Sequence, residues 1–176
     1  MGTRAVSGKF VKRKSTMIRP VRISDAPAIR DIYNYYVRFT CVTAEEEDVT
    51  VSEMERRITE VTKKFPWLVN VEGDEVIGYA YLNHYIARSA YRFAVSDSIY
   101  VKHGLTGNDA GSQLMAAILD EARKMGKHSV MALMERGNEA SEALHGKFGF
   151  REIGHLKEAG FKFNRCIDVS YWQLIL

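Results

Sequence analysis

A chain of 176 residues, 46% hydrophobic and 27% charged, has the length and balance of a single globular domain. No apolar run approaches the roughly 18 residues of a membrane-spanning helix, and the start lacks the basic-then-apolar pattern of a secretory leader. The net charge of +3 comes from residues 1–16, which hold Arg4, Lys9, Lys12, Arg13 and Lys14 and no acid, whereas the rest of the chain carries 20 basic and 22 acidic residues.

This division predicts a basic, disordered tail or expression remnant over 1–16 and a folded domain over 17–176, with Met17 as a plausible native start. The domain is nearly neutral and has no basic stripe interleaved with aromatics, so neither nucleic acid nor membrane is an expected partner. Cys41 and Cys166 lie far apart and outside any metal or redox spacing, which predicts reduced thiols, a cytoplasmic protein and no metal.

In chain order, "MIRPVR" (17–22) reads as an edge strand, because Pro20 cannot donate a ladder hydrogen bond. Ser24 and Asp25 offer N-cap oxygens, and Ala26, Ile29, Ile32 and Tyr33 follow at helical spacing to about Arg38. A second helix is expected over 49–64, with Ser52 as cap and Glu55 three residues on. "PWLVNV" and "EVIGYAYL" flank "EGD" as a hairpin, and "RFAVSDSIYV" (92–101) is a further strand. Leu114, Met115, Ile118, Leu119 and Ala122 share one face of a long helix from Ala110 to Met125. A buried strand over 128–134, a helix over 138–150 and two closing strands complete an α/β chain with a mixed sheet. Tyr79, Tyr81 and Trp172 read as residues that pack the sheet.

The chemistry concentrates in two stretches. "GLTGNDAGSQLM" (104–115) is a glycine loop opening a helix, whose unpartnered backbone N–H groups and positive dipole end suit a phosphate. In "NEASEALHGKFGF" (138–150), Asn138 stands at a strand-to-helix junction, where its amide can cap the helix and reach a ligand. His145 follows two turns later on roughly the same face.

Together with "IRP.R..D...I..IYN", "EVIGYAYL", "YRF..SDSIYV" and "GFKF.R.IDVSYWQL", these stretches occur in an order that resembles the phosphinothricin-type N-acetyltransferases of the GNAT superfamily, over Met17 to Leu176. The resemblance implies a mixed, splayed central sheet with flanking helices, a β-bulge near Ile99 to Val101, and acetyl-CoA lying in the splay. It implies that Ile99, Tyr100 and Val101 hold the pantetheine arm, with Tyr100 and Val101 doing so through backbone groups. Thr106, Gly107, Asn108, Asp109, Ala110, Gly111 and Ser112 would hold the diphosphate, and Asn138 the pantetheine end. His145 would protonate the leaving thiolate or order a water. Arg92 matches the family's Tyr-Arg position, and with Arg88 would hold the acid group of a small amino-acid-like substrate such as phosphinothricin, methionine sulfone or methionine sulfoximine. The family works as a homodimer.

Three positions depart from the pattern. Thr106 stands where the family has a cationic or amide side chain, Asp109 replaces a glycine, and Ser96 replaces the glutamate that serves as general base. Asp97 neighbours Ser96, but adjacent strand residues face opposite ways, so Asp97 replaces the glutamate only if a bulge shifts the register. Asp109 is expected to cap the following helix and to weaken CoA binding by repulsion. These departures leave a second expectation open: a degenerate acetyltransferase fold that senses CoA or binds a partner.

Overall fold

The computed structural model describes residues 16–176. The division at residue 16 and the basic tail therefore lie outside the described residues, apart from Thr16. Seven strands form one mixed sheet in the order β1-β2-β3-β4-β5-β7-β6. They are β1 (Thr16–Pro20), β2 (Trp67–Glu72), β3 (Glu75–His84), β4 (Ala94–Val101), β5 (Ser129–Glu135), β6 (Arg151–Lys162) and β7 (Arg165–Ile175). Four helices flank them: α1 (Ala26–Phe39), α2 (Val51–Thr62), α3 (Ala110–Lys124) and α4 (Glu139–Lys147).

Period-2 alternation splits the core between the two faces of the sheet. On one face Ile29, Val37, Met54 and Ile58 of α1 and α2 pack on Trp67, Val69 and Tyr79. On the other, Leu114, Met115, Ile118, Leu119 and Ala122 of α3 pack on Leu68, Ala80, Leu82, Val95 and Val130. Tyr81 stacks on Trp67 at 4.3 Å between ring centres, and Trp172 packs against the α3-side core, so both serve the sheet. Gly78 lets β3, β4 and α3 close up: a Cβ there would sit 2.9 Å from the Tyr100 carbonyl oxygen and 3.1 Å from Leu114.

The caps differ from expectation. Thr50, rather than Ser52, accepts the Glu53 N–H at 3.1 Å and starts α2 at Val51. Asp25 stands at the start of α1 but makes no side-chain cap bond; its carboxylate takes Arg19 at 2.7 and 2.8 Å and the Arg22 N–H at 2.7 Å. The guanidinium engages both carboxylate oxygens at once and the Arg22 N–H takes one of them as well, which holds the carboxylate away from the α1 N–H groups. A short 3-10 turn over Ser89–Tyr91, which the sequence reading did not contain, precedes β4.

The central strands position the site. β4 pairs with β3 from His84↔Val95 to Gly78↔Val101 without a break. No bulge therefore interrupts Ile99 to Val101 on that side, contrary to expectation; the register shift lies one ladder away, between Asn70 and Val71 of β2. On its other side β4 pairs with β5 only from Ala94↔Ser129 to Ser96↔Met131. Beyond Ser96 the two strands separate, while β5 continues along β7 to Glu135. This is the splay.

Candidate active site

The alternation along β4 decides what enters the splay. Lys102 N–H donates to Ile77 of β3 at 2.8 Å. In an antiparallel ladder, residues two apart then face the same neighbour, so Tyr100 and Ser98 turn their backbone groups to β3. Ile99 and Val101 turn theirs the other way, into the splay. The Tyr100 ring stays in the aromatic cluster under α1, 5.2 Å from Tyr79 and 5.3 Å from Tyr33. Of the three residues expected along the pantetheine arm, Ile99 and Val101 open to the splay and Tyr100 does not.

The splay opens into a cleft of about 520 Å³. Ile99 and Val101 of β4, Thr106, Gly107, Asp109, Gly111 and Ser112 of the glycine loop, and Asn138, Ser141, Leu144, His145 and Lys147 of α4 and its cap line it. Tyr36 of α1 closes one wall. A larger groove of about 630 Å³ between β1, α2 and α3 contains none of the expected site residues, most of which gather instead at the smaller cleft.

At its base His145 is 6% exposed. Nδ1 lies 2.8 Å from the Ser141 carbonyl oxygen and Nε2 lies 3.1 Å from Asp97 Oδ2. The Phe150 ring meets the imidazole edge-on at 4.9 Å. Both ring nitrogens face acceptors, an arrangement suited to an imidazolium, which has two N–H donors. Burial opposes that charge, but the hydrogen bond and the charge of Asp97 outweigh it, and the His145 pKa is raised above its ordinary 6.5. Asp97 is buried, and its Oδ1 has no hydrogen-bond partner among the described residues.

Asp97 and Ser96 face opposite sides of the sheet. Asp97 shares the α3 side with Val95, Ile99 and Val101, whereas Ser96 lies on the α1 side with Ser98 and Tyr100, its hydroxyl 3.5 Å from the His84 carbonyl. With the register unbroken, Asp97 is no shifted replacement for a carboxylate at 96; it is the partner of His145.

The loop before α3 is a left-handed turn. Asp109 has φ +67° and makes no side-chain cap bond, so the expected cap is absent. The dihedral explains the glycine that the family pattern has there: the left-handed region costs an ordinary side chain about 1–2 kcal/mol, and Asp is one of the few that visit it. Gly107 is also left-handed, at φ +84°. The Asp109 carboxylate lies 3.7 Å from Lys147 Nζ, which donates to Ser112 Oγ at 2.9 Å. Asn138 is the N-cap of α4, its side-chain oxygen accepting the Ser141 N–H at 3.2 Å.

Arg88 and Arg92 are exposed and do not line this cleft. Arg92 donates to the Ser89 carbonyl at 3.2 Å and sits over the Phe93 ring at 4.6 Å. Among the described residues no cluster of three or more His, Cys, Asp or Glu could hold a metal ion, and no helix is long and apolar enough to cross a membrane.

Sequence reading missed two residues at the cleft. Tyr36 donates its hydroxyl to the Val101 carbonyl at 2.5 Å, and Lys147 reaches the glycine loop. Lys147 lies inside a motif already singled out, but only the fold brings α4 beside Ser112. Lys162, also inside such a motif, is 2% exposed and ties β6 to the loop after α1 by donating to the Thr43 carbonyl at 2.9 Å.

Residues 18–171 match the family model described as an acetyltransferase (GNAT) domain. The chain belongs to the GNAT N-acetyltransferases. It is 34% identical over 160 residues to a phosphinothricin N-acetyltransferase of Streptomyces coelicolor, covering 89% of this chain and 94% of that one. It is likewise 34% identical to an L-methionine sulfoximine/L-methionine sulfone acetyltransferase of Pseudomonas aeruginosa, over 92% of this chain and 95% of that one. Among solved structures, a GNAT phosphinothricin acetyltransferase from Sinorhizobium meliloti in complex with acetyl-CoA superposes with a TM-score of 0.88 at 31% identity, covering 92% of this chain and 88% of that one. The mixed sheet with flanking helices of this acetyltransferase is the fold its motif order implied.

Proposed function

We propose that this acetyltransferase moves the acetyl group of acetyl-CoA to the α-amine of a small amino-acid-like substrate, of the phosphinothricin or methionine sulfone and sulfoximine kind, by direct attack in a ternary complex. The observation that carries the reading is the splay, with the backbone edges of Ile99 and Val101 unpaired by β5 and a histidine–aspartate pair at its base. The residues fit the co-substrate. An apolar cleft with a strand edge suits the pantetheine amides, and an N–H cradle without a Cβ at Gly107 and Gly111 suits a diphosphate. When bound, acetyl-CoA supplies the activated acetyl group as a thioester.

The chain's own groups then divide the work. Ile99 and Val101 orient the pantetheine arm, and Asn138 its reactive end. Thr106 to Ser112 hold the diphosphate. His145, whose proton Asp97 helps to hold, stands beside the cleft as a proton donor for a departing thiolate. Arg88 and Arg92 lie outside the cleft lining, at the Ala94 end of β4, and hold the acid group of the acceptor only where it extends beyond the cleft and draws Arg92 from the Ser89 carbonyl. Ser96 cannot take a proton near neutral pH, so the acceptor amine loses its proton to water and reacts best at mildly alkaline pH.

The exposed apolar side chains of the last strands support a homodimer. Ile153 and Leu156 of β6, Phe161 and Phe163 at its turn, and Ile175 of β7 are at least half exposed. The cysteines are unbridged, Cys41 buried and Cys166 exposed, which fits a reducing cytoplasm.

One observation favours a second reading, a CoA-sensing fold without turnover: no carboxylate stands at 96. Mass spectrometry of a mixed amino-acid pool with acetyl-CoA, with and without the protein, tests both. Acetylated amino acids supports the transferase; CoA binding without any product supports the sensor.

A further inference from the structure

Lys147 ends α4 and reaches across the mouth of the cleft to the start of α3. Its ammonium donates to Ser112 Oγ at 2.9 Å and lies 3.7 Å from Asp109 Oδ1. It is the only Lys or Arg among the described residues lining the cleft. The other basic side chains nearby are engaged elsewhere: Lys102 pairs with Glu75, and His103 stacks on Tyr35 at 4.1 Å. Thr106 brings no charge to the loop.

The charge inventory of the cradle is therefore one cation and one anion, in contact with each other. Both are well exposed, Lys147 at 61% and Asp109 at 59% of their side chains. An exposed pair of this kind is weak and easily exchanged. A diphosphate at the α3 N-terminus would meet that ammonium in place of the carboxylate, with two charges and several acceptor oxygens against one charge. The contact with Ser112 keeps the ammonium over the helix start, where a phosphate would lie.

We propose that Lys147 is the phosphate-recognising cation of the cleft, and that Asp109 competes with the CoA diphosphate for the same ammonium. The main effect of Asp109 on CoA is then to occupy that ammonium. CoA affinity is set by an exchange of partners on Lys147 rather than by a bare carboxylate facing a diphosphate. This rests on the acetyl-CoA reading above.

Calorimetry on the full chain tests it with CoA, 3′-dephospho-CoA and pantetheine as probes and the variants Lys147→Gln, Asp109→Asn and both together. Lys147→Gln should weaken CoA and 3′-dephospho-CoA alike, by about ten-fold, the scale of one charge-assisted contact, and leave pantetheine unchanged. Asp109→Asn should tighten CoA several-fold in the parent and clearly less in the Lys147→Gln background, because the competition needs the ammonium. Parent CoA binding should weaken as salt rises. Equal tightening by Asp109→Asn in both backgrounds would mean simple repulsion and overturn the exchange. A loss shared by pantetheine would make Lys147 structural, and a loss confined to CoA would assign the ammonium to the 3′-phosphate; either overturns the proposal. If the parent binds none of the three, the acetyl-CoA reading itself fails, and the proposal with it.

Discussion

His145 Nε2 lies 3.1 Å from Asp97 Oδ2, and both groups are buried. The other ring nitrogen faces the Ser141 carbonyl, so both ring nitrogens meet acceptors and the site suits an imidazolium. The raised pKa of His145 fixes the pH dependence. The stabilisation is complete below the ordinary value of 6.5 and is lost as pH rises through the raised folded value. Asp97→Asn should therefore cost about 2 kcal/mol near pH 6, the scale of a hydrogen bond to a charged group. That cost should shrink as pH climbs above 6.5. Thermal unfolding of parent and variant from pH 6 to 9 checks it; a gap that widens with pH would show that His145 is neutral in the fold.

The Asp97–His145 pair also predicts a kinetic effect. His145→Ala should lower kcat more than it changes KM for acetyl-CoA, since a proton donor acts on the departing thiolate and not on ground-state binding. An unchanged kcat would return His145 to the packing residues.

Asp109→Gly should stabilise the protein, by about 0.5–1 kcal/mol, although a cap at this position would have predicted the opposite. With φ at +67° and no cap bond, the aspartate has backbone strain to lose and no hydrogen bond to give up. The gain is smaller than the full left-handed penalty, because glycine is freer in the unfolded chain. Denaturant unfolding measures it, and a destabilised variant would show that the carboxylate supports the loop.

Much of this was legible in the chain. The α3 face from Leu114 to Ala122 and the edge character of β1 follow from periodicity and residue chemistry, and the fold and cleft follow from the resemblance that the order of motifs carries. What was not legible depends on competition between distant groups. Asp25 reads as a cap until Arg19 is placed beside it by β1. Asp109 reads as a cap until its dihedral is known, because the same residue type suits an N-cap and a left-handed turn. Tyr36 and Lys147 look like ordinary helix residues, and only packing brings them to Val101 and Ser112. Asp97 beside Ser96 could be assigned a face only once the β3–β4 register was fixed, and that register separated the two.

The exposed Leu156 and Phe161 carry the dimer prediction. Sedimentation equilibrium at micromolar concentration should show a dimer, and Leu156→Glu with Phe161→Glu should shift it to monomer without unfolding it, since both side chains already lie at the surface of one chain. A parent that sediments as a monomer would remove the prediction altogether.

The Tyr36 hydroxyl bonds the Val101 carbonyl at 2.5 Å, on the strand edge proposed for the pantetheine arm. Tyr36→Phe leaves the ring in place, 5.4 Å from Tyr100, and takes away only the donor. A carbonyl that loses its partner in a half-buried cleft costs about 1–3 kcal/mol. Tyr36→Phe should thus lower the melting temperature. If a pantetheine amide uses the same carbonyl, binding restores the missing bond, and CoA should raise the melting temperature of the variant by more than it raises that of the parent. The two effects have one origin, so they should appear together. Destabilisation with an equal or smaller CoA-induced shift would mean that the pantetheine arm does not bond Val101, and that Tyr36 serves only to fasten α1 to β4.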